Sequence, residues 1–243
     1  METSDSTPKT FSGQGSLEQA KTELFRCKKD NPSDATVLVA RTVHVKGANE
    51  YMLILNETEL RRMVYGNGGE STLNEFLGSD EFITPVRAFF DFDVKPTGDF
   101  GRARETHESQ MMVFLQCIEP ALKEAARRAW GNSARSSEKT KRTAAQYSDD
   151  ERKTCLGIAD GGRPFRLLQA HRSEPSPKLS WHVTLPHVVF PSISSLREAI
   201  EVLVQQLEVP DGIEPDMAVY YSGRFFRLPW CTKFGQRRPL ETL

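Results

Sequence analysis

Two aspartates inside a hydrophobic stretch, Phe89-Phe90-Asp91-Phe92-Asp93-Val94, are spaced for chemistry. In an extended strand, residues i and i+2 share a face. Asp91 and Asp93 therefore point the same way, while Phe90, Phe92 and Val94 point into the core. Neighbouring carboxylates repel, and each raises the other's pKa. A cation between them relieves the repulsion, and oxygen ligands without His or Cys suit Mg²⁺ or Mn²⁺. Taken alone, the pair reads equally well as two solvated residues on an edge strand.

A second pattern lies in Lys178-Leu179-Ser180-Trp181-His182-Val183-Thr184. Alternation places Lys178, Ser180, His182 and Thr184 on one face, and Leu179, Trp181, Val183 and Leu185 on the other. A cation, a hydroxyl and an imidazole in a row form a line of hydrogen-bond donors suited to a phosphate or triphosphate. A lone strand histidine is more often structural, and it is Lys178 and Ser180 that give His182 weight. The third pattern begins at Asp216 and continues through Val219-Tyr220 to Arg224-Phe225-Phe226-Arg227 and Lys233. From 216 to 243, five cations (Arg224, Arg227, Lys233, Arg237, Arg238) face two carboxylates (Asp216, Glu241) in a chain that is otherwise near neutral. Aromatics interleave with these cations, as on surfaces that hold phosphates and stack bases. The bland alternative is a solvated basic terminus. Arg224 and Arg227 are three apart, so a regular strand sends them to opposite faces, and a shared ligand requires a bulge or bend.

These residues need a scaffold. Residues 1–15 are polar and read as a loose, disordered tail. The stretch 16–29 predicts a helix with Leu17, Ala20, Leu24 and Phe25 on one stripe. Residues 35–45 and 51–55 predict an antiparallel strand pair, and 56–66 a helix. Residues 67–81 read as turns with at most one helical turn, and 86–94 as a strand. A loop follows over 95–103. Met111, Met112, Leu115, Ile118, Leu122, Ala125 and Ala126 predict a long amphipathic helix over 106–129, kinked at Pro120. Residues 131–153 are small, polar and charged and read as a flexible insertion. Two strands follow around Ser-Glu-Pro-Ser-Pro. A helix over 195–207 opens on the capping box Ser195-Leu-Arg-Glu198, and 216–230 carry the last strand pair. No internal repeat is present. Strands arrive in hairpins between helices, so the class is α+β with a mainly antiparallel sheet.

With 243 residues the chain can bury a substantial core, as one large domain or two small ones. Hydrophobic residues at 38% and charged residues at 27% exclude a wholly disordered chain. A net charge of -1 excludes a globally basic, histone-like binder but not a basic groove in a neutral protein. Cys27, Cys117, Cys155 and Cys231 are far apart, which argues against a disulfide scaffold and a self-contained zinc knuckle. No apolar run reaches about 18 residues, so no membrane span is expected. The N-terminus lacks the layout of a secretory signal. The expected setting is intracellular, with nucleus, mitochondrion and viral replication site equally compatible.

In order, Phe-Phe-Asp91-Phe-Asp93-Val, then Lys178-Leu-Ser180-Trp-His182, then Asp216 with Val219-Tyr220 and Arg224-Phe-Phe-Arg227-Leu-x(4)-Lys233, the sequence resembles the archaeo-eukaryotic primase superfamily. It is most similar to the PrimPol-like (primase-polymerase) branch, whose pattern the primase modules of large DNA viruses share. The resemblance covers about residues 86–235. Asp-x-Asp and Ser-x-His are each weak signals, and the specificity lies in their order and in the Arg-x-x-Arg-x(5)-Lys spacing. The resemblance implies a catalytic module around an RRM-like antiparallel sheet (86–243), with a smaller N-terminal αβ module (16–85). It implies that Asp91, Asp93 and Asp216 are catalytic ligands of two Mg²⁺ or Mn²⁺ ions. It also implies that Lys178, Ser180, His182, Arg224, Arg227 and Lys233 contact the incoming nucleotide. PrimPol often carries Asp-x-Glu at the first motif. Here it is Asp-x-Asp, as in other primases. No cysteine follows Cys231, so no zinc is expected in this chain. The implied activity is template-directed DNA polymerase or primase, a nucleotidyl transfer serving DNA replication and damage tolerance. The implied partners are a DNA template-primer, dNTP or NTP, and a replication helicase or single-strand-binding protein. No membrane partner is expected, and the chain is expected to be a monomer. A metal-dependent nuclease would share the carboxylates but does not need a triphosphate-binding face. A non-catalytic single-stranded nucleic-acid-binding relative would be expected to have lost an acidic ligand.

Overall fold

The computed structural model describes residues 8–30, 37–43, 49–54, 57–65, 72–77, 85–94, 100–133, 166–172, 178–206, 213–228, 231–232 and 241–242. The protein is α+β, with antiparallel sheets and four helices among the described residues. It divides into two units, Met1–Phe76 with Phe225–Glu241, and Leu77–Arg224 with Thr242–Leu243. The sequence reading put the division at 85/86 and left the C-terminal segment in the second module. The division instead falls at 76/77, and 225–241 return to the first unit because β9 (Phe225–Arg227) pairs with β4 (Leu73–Phe76).

In the first unit the strand order is β1 (Lys9–Phe11), β3 (Asn49–Ile54), β2 (Val37–Thr42), β4, β9. Helices α1 (Ser16–Asp30) and α2 (Glu57–Tyr65) cover opposite faces. Val39, Met52 and Ile54 pack with Val64 and Leu60 of α2, while Leu38 and Leu53 pack with Ala20, Leu17 and Leu24 of α1. Burial on both faces explains why β2 and β3 read as continuous apolar runs rather than strict alternations. Phe25, expected on the buried stripe of α1, is 46% exposed, because the sheet contacts only the narrower row through Ala20.

Two expectations fail here. The tail reading of 1–15 stops short, because Lys9–Phe11 adds to the edge of β3, opposite Tyr51–Leu53. Phe11 packs against the α1 cluster, and Lys9 bonds Glu23 of α1 at 2.8 Å. Arg26 and then Lys9, by their hydrogen bonds, hold the Glu23 carboxyl down at about 2. The stretch 73–76, read as turn, is strand β4, paired with both β2 and β9. Its four residues are too few for alternation to show in sequence.

The second five-stranded sheet has the order β10 (Glu241–Thr242), β6 (Arg166–Arg172), β7 (Lys178–Phe190), β5 (Val86–Val94), β8 (Ile213–Pro215). Chain order runs β5, α3 (Phe100–Ser133), β6, β7, α4 (Ile193–Gln206), β8, a split β-α-β arrangement. Phe90, Phe92 and Val94 of β5 and Trp181, Val183 and Leu185 of β7 are buried. So are Met111, Phe114, Leu115, Ile118, Leu122 and Ala126 of α3 and Ile193, Leu196, Ile200 and Leu203 of α4. Phe92 meets Phe114 edge-on at 6.0 Å. Trp130, in the last turns of α3, donates its indole N–H to Val189 O at 2.9 Å.

Helix α3 begins six residues earlier than expected and runs unbroken through Pro120. Pro120 and Gln116, whose carbonyl loses its i+4 donor, both lie on the exposed side, where water can replace the missing bond. Helix α4 starts at 193 rather than 195. Its cap is Ser192, whose Oγ accepts from Ser195 N while Ser192 N donates to Ser195 Oγ, both at 3.2 Å. Serine thus fills the reciprocal position that a capping box usually gives to Glu or Gln. The insertion read at 131–153 lies outside the described residues except for the helical end at 131–133. No described helix is long and apolar enough to cross a membrane.

Candidate functional site

β5 and β7 form the central pair of the second sheet. Their register places Asp91 opposite His182 and Asp93 opposite Ser180. Directly opposed residues share a face, so the acidic pair and the donor row, 87 residues apart in sequence, meet side by side. Ser180 Oγ donates to Asp93 Oδ1 at 2.9 Å, and His182 Nε2 stands 3.5 Å from Asp91 Oδ1. Both donors are buried, and both aspartates are partly buried.

An irregularity in β7 sets this register. Arg87 opposes Val189, but Ala88 opposes Leu185, so Pro186, His187 and Val188 bulge out. Proline belongs at such a bulge because it has no N–H for the ladder. Had the register of Arg87 continued, Asp91 would face Leu185 and Asp93 would face Val183. Three extra residues, an odd number, turn the polar face of β7 toward the carboxylates.

Asp216 arrives from the other side of β5. Strand β8 pairs with β5 over Phe92–Val94, and the next residue donates its backbone N–H to Asp91 O at 2.7 Å. The sequence reading put Asp216 in a strand pair. It instead caps a 3₁₀ turn, Met217–Tyr220, its Oδ1 accepting from Ala218 N at 2.9 Å. The short side chain of Asp favours this local bond over continued extension.

Tyr220, which the sequence reading gave no role, closes the turn. It is 1% exposed, stacks on Phe89 at 5.0 Å and donates its hydroxyl to Phe89 O at 2.8 Å. Its place at the end of the short turn that Asp216 caps was a usable signal. Burial first, then the charges of Asp91 and Asp216, push its phenol well above the usual 10.0. The unfolded chain releases this proton near the usual value while the native state keeps it. The stabilisation is therefore full below pH 10 and declines as pH rises beyond it. Tyr220→Phe is expected to lose about 1 kcal/mol at neutral pH through the missing hydrogen bond. The gap in melting temperature between the two proteins should then narrow above pH 10. A gap that stays constant from neutral pH to pH 11 would reject this account.

The remaining expected residues are taken element by element. Lys178 opens β7, opposite Arg172 and two positions before Ser180. Arg224 is exposed, follows Gly223 (φ 79°) and accepts through its carbonyl from Leu77 N at 3.1 Å. Arg227, 6% exposed, lies on β9 of the first unit opposite Asn74. The positive φ at Gly223 falls before both arginines, so it is not a bend between them, and the chain passes from one unit to the other between Arg224 and Phe225. Lys233 lies outside the described residues.

Asp91, Asp93 and Asp216 offer carboxylate oxygens, the ligand type that suits a hard divalent cation, with the His182 imidazole beside Asp91. The carboxylates as they stand are turned to protein donors, Asp93 to Ser180 and Asp216 to its own turn. Among the described residues no three His, Cys, Asp or Glu side chains converge into a group that could hold a metal. Asp216 is bonded to Asp91 through its backbone, and its carboxylate is engaged by Ala218 N of its own turn. Cys27, Cys117 and Cys231 are not disulfide-bonded. No model of a known protein family matches the chain, and no curated protein matches it significantly.

Proposed function

We propose that this protein is a template-directed nucleotidyltransferase of the PrimPol type, adding nucleotides to a 3′-hydroxyl. The observation that carries the reading is the register of β5 with β7. Three weak motifs, far apart in sequence, occupy adjacent positions around one strand, with Asp91 facing His182, Asp93 facing Ser180 and Asp216 bonded to the Asp91 backbone. The strand order β6-β7-β5-β8, with α3 and α4 packed on one face, supports an RRM-like catalytic module of the archaeo-eukaryotic primase kind.

Asp91, Asp93 and Asp216 would hold the divalent ions, Mg²⁺ or Mn²⁺. When bound, such ions lower the pKa of the attacking hydroxyl and offset charge on the leaving pyrophosphate. The chain's own donors do the positioning. His182 and Ser180 now face Asp91 and Asp93; with those carboxylates engaged by ions, their N–H and O–H would turn to the triphosphate, with Lys178 and Arg224 adding positive charge. The resemblance extends the phosphate contacts to Arg227 and Lys233. Nucleotidyl transfer of this kind requires no side-chain nucleophile.

A primer-extension assay with labelled template-primer, dNTP or NTP, and Mg²⁺ or Mn²⁺ tests the reading. Extension is expected, and degradation of the template without incorporation would overturn it in favour of a nuclease. His182→Ala is expected to raise the nucleotide KM about tenfold or more, the worth of one charge-assisted hydrogen bond. DNA affinity should change less than twofold (about 0.4 kcal/mol). Collapse of DNA affinity with an unchanged nucleotide KM would show that His182 serves the wrong ligand for this reading.

A further inference from the structure

Helix α4 buries Ile193, Leu196, Ile200 and Leu203. Ser194, Arg197, Glu198 and Glu201 lie between them at i, i+3, i+4 and i+7, a spacing that puts them on one stripe. With Tyr221 and Ser222 they line a cavity of about 430 Å³, all within the second unit. That volume suits a single side chain or a small ligand. Arg197 is already committed. Its guanidinium carbon lies 4.2 Å from the centre of the Tyr221 ring, and its Nε donates to Glu201 Oε1 at 2.7 Å. The stack covers one face of the ring, yet Tyr221 is still 47% exposed. Glu198 is exposed and makes no ion pair or hydrogen bond among the described residues. One guanidinium against two carboxylates leaves the lining net negative. Such a lining repels a phosphate and attracts a cation. Val202 is exposed and follows Glu198 by one turn, so it adds apolar surface next to that carboxylate.

We propose that this cavity binds an arginine side chain of a partner protein, presented in a peptide segment with an apolar neighbour. The incoming guanidinium stacks on the face of Tyr221 that Arg197 leaves open and donates two parallel N–H bonds to Glu198. A planar guanidinium meets a flat ring and a forked carboxylate together, whereas the compact ammonium of lysine does not. The apolar neighbour covers Val202. The platform is held in advance on both sides. Tyr220, the residue before Tyr221, bonds Phe89 O at 2.8 Å, and Ser192 and Ser195 cap the start of α4. Little ordering of this chain is then left for the partner's arrival to offset. None of the residues that contact the arginine takes part in the proposed nucleotidyl transfer.

Amide proton–nitrogen correlation NMR of the full chain, titrated with the blocked peptide acetyl-Val-Arg-Val-amide, tests the proposal. Saturable shifts are expected at the amides of Ser194, Glu198, Tyr221 and Ser222, at the millimolar concentrations that suit one side chain. The citrulline peptide, close in shape but uncharged, should bind about fivefold more weakly. The lysine peptide should bind about threefold more weakly. Glu198→Gln should weaken the arginine peptide about fivefold, and Tyr221→Leu about threefold. Both positions are exposed, so both variants should stay folded, which the same spectra show. Primer extension by Glu198→Gln should match wild type, so failure here and failure of the polymerase reading are separate results. No saturable shift at these amides overturns the proposal, as does equal binding of the citrulline peptide or unchanged affinity in Glu198→Gln. A lysine peptide that binds as tightly overturns arginine as the ligand. If dAMP shifts the same amides at lower concentration than the peptide, the cavity serves a nucleotide and the partner is overturned.

Discussion

Replacing Asp91 or Asp93 by Ala is expected to reduce nucleotide addition by more than about 100-fold while leaving the protein folded. The two carboxylates sit at i and i+2 on β5, partly buried and on the same face. Their mutual repulsion destabilises the native state, so removing one relieves the other. Each loss also deletes a partner, His182 for Asp91 and Ser180 for Asp93. The hydroxyl of Ser180 is buried, so Asp93→Ala leaves a desolvated donor that costs about 1–3 kcal/mol. Relief of repulsion opposes this cost, and the net change in stability is expected to be within about 2 kcal/mol. Primer extension at saturating Mn²⁺, with denaturation of the same samples, checks both halves. Extension by the double Ala variant at near wild-type rate would end the polymerase reading. An unfolded single variant would show that the pair is structural.

Phe92→Ala is expected to lose about 3–5 kcal/mol of stability, the usual cost of an emptied aromatic site. Phe92 is fully buried between the two aspartates, on the opposite face of β5, stacked on Phe90 at 5.2 Å and edge-on to Phe114 of α3. Its ring joins the sheet to the helix layer, so the hole opens at the centre of the core and cannot close by local collapse. A domain of this size has a total stability of about 5–15 kcal/mol, so the variant is left marginal. Val113→Ala, on the exposed side of α3 (61% exposed), should change stability by less than about 0.5 kcal/mol. Urea denaturation monitored by circular dichroism measures both. A loss at Phe92 under 1.5 kcal/mol would mean that the helix layer does not bear on this strand as described.

The alternation around Asp91 and Asp93 was legible in sequence because a strand's two-residue period depends on the backbone alone. Phe90, Phe92 and Val94 are buried, and the aspartates occupy the other face, as the pattern required. The long period of α3 was legible for the same reason, with Met111, Leu115, Ile118, Leu122 and Ala126 all buried. Short elements were not. β1 and β4 have three and four residues, and they are strands only because β3, β2 and β9 supply partners that no local pattern announces. The facing of Asp91 by His182 was also beyond the sequence. It depends on three residues bulging from β7, and a register is a property of two strands together. The cap on Asp216 and the Tyr220 hydrogen bond to Phe89 are of the same kind. Each is decided by which distant backbone group comes within reach after the sheets form. Residue spacing thus fixed which side chains share a face, and tertiary pairing decided which faces meet.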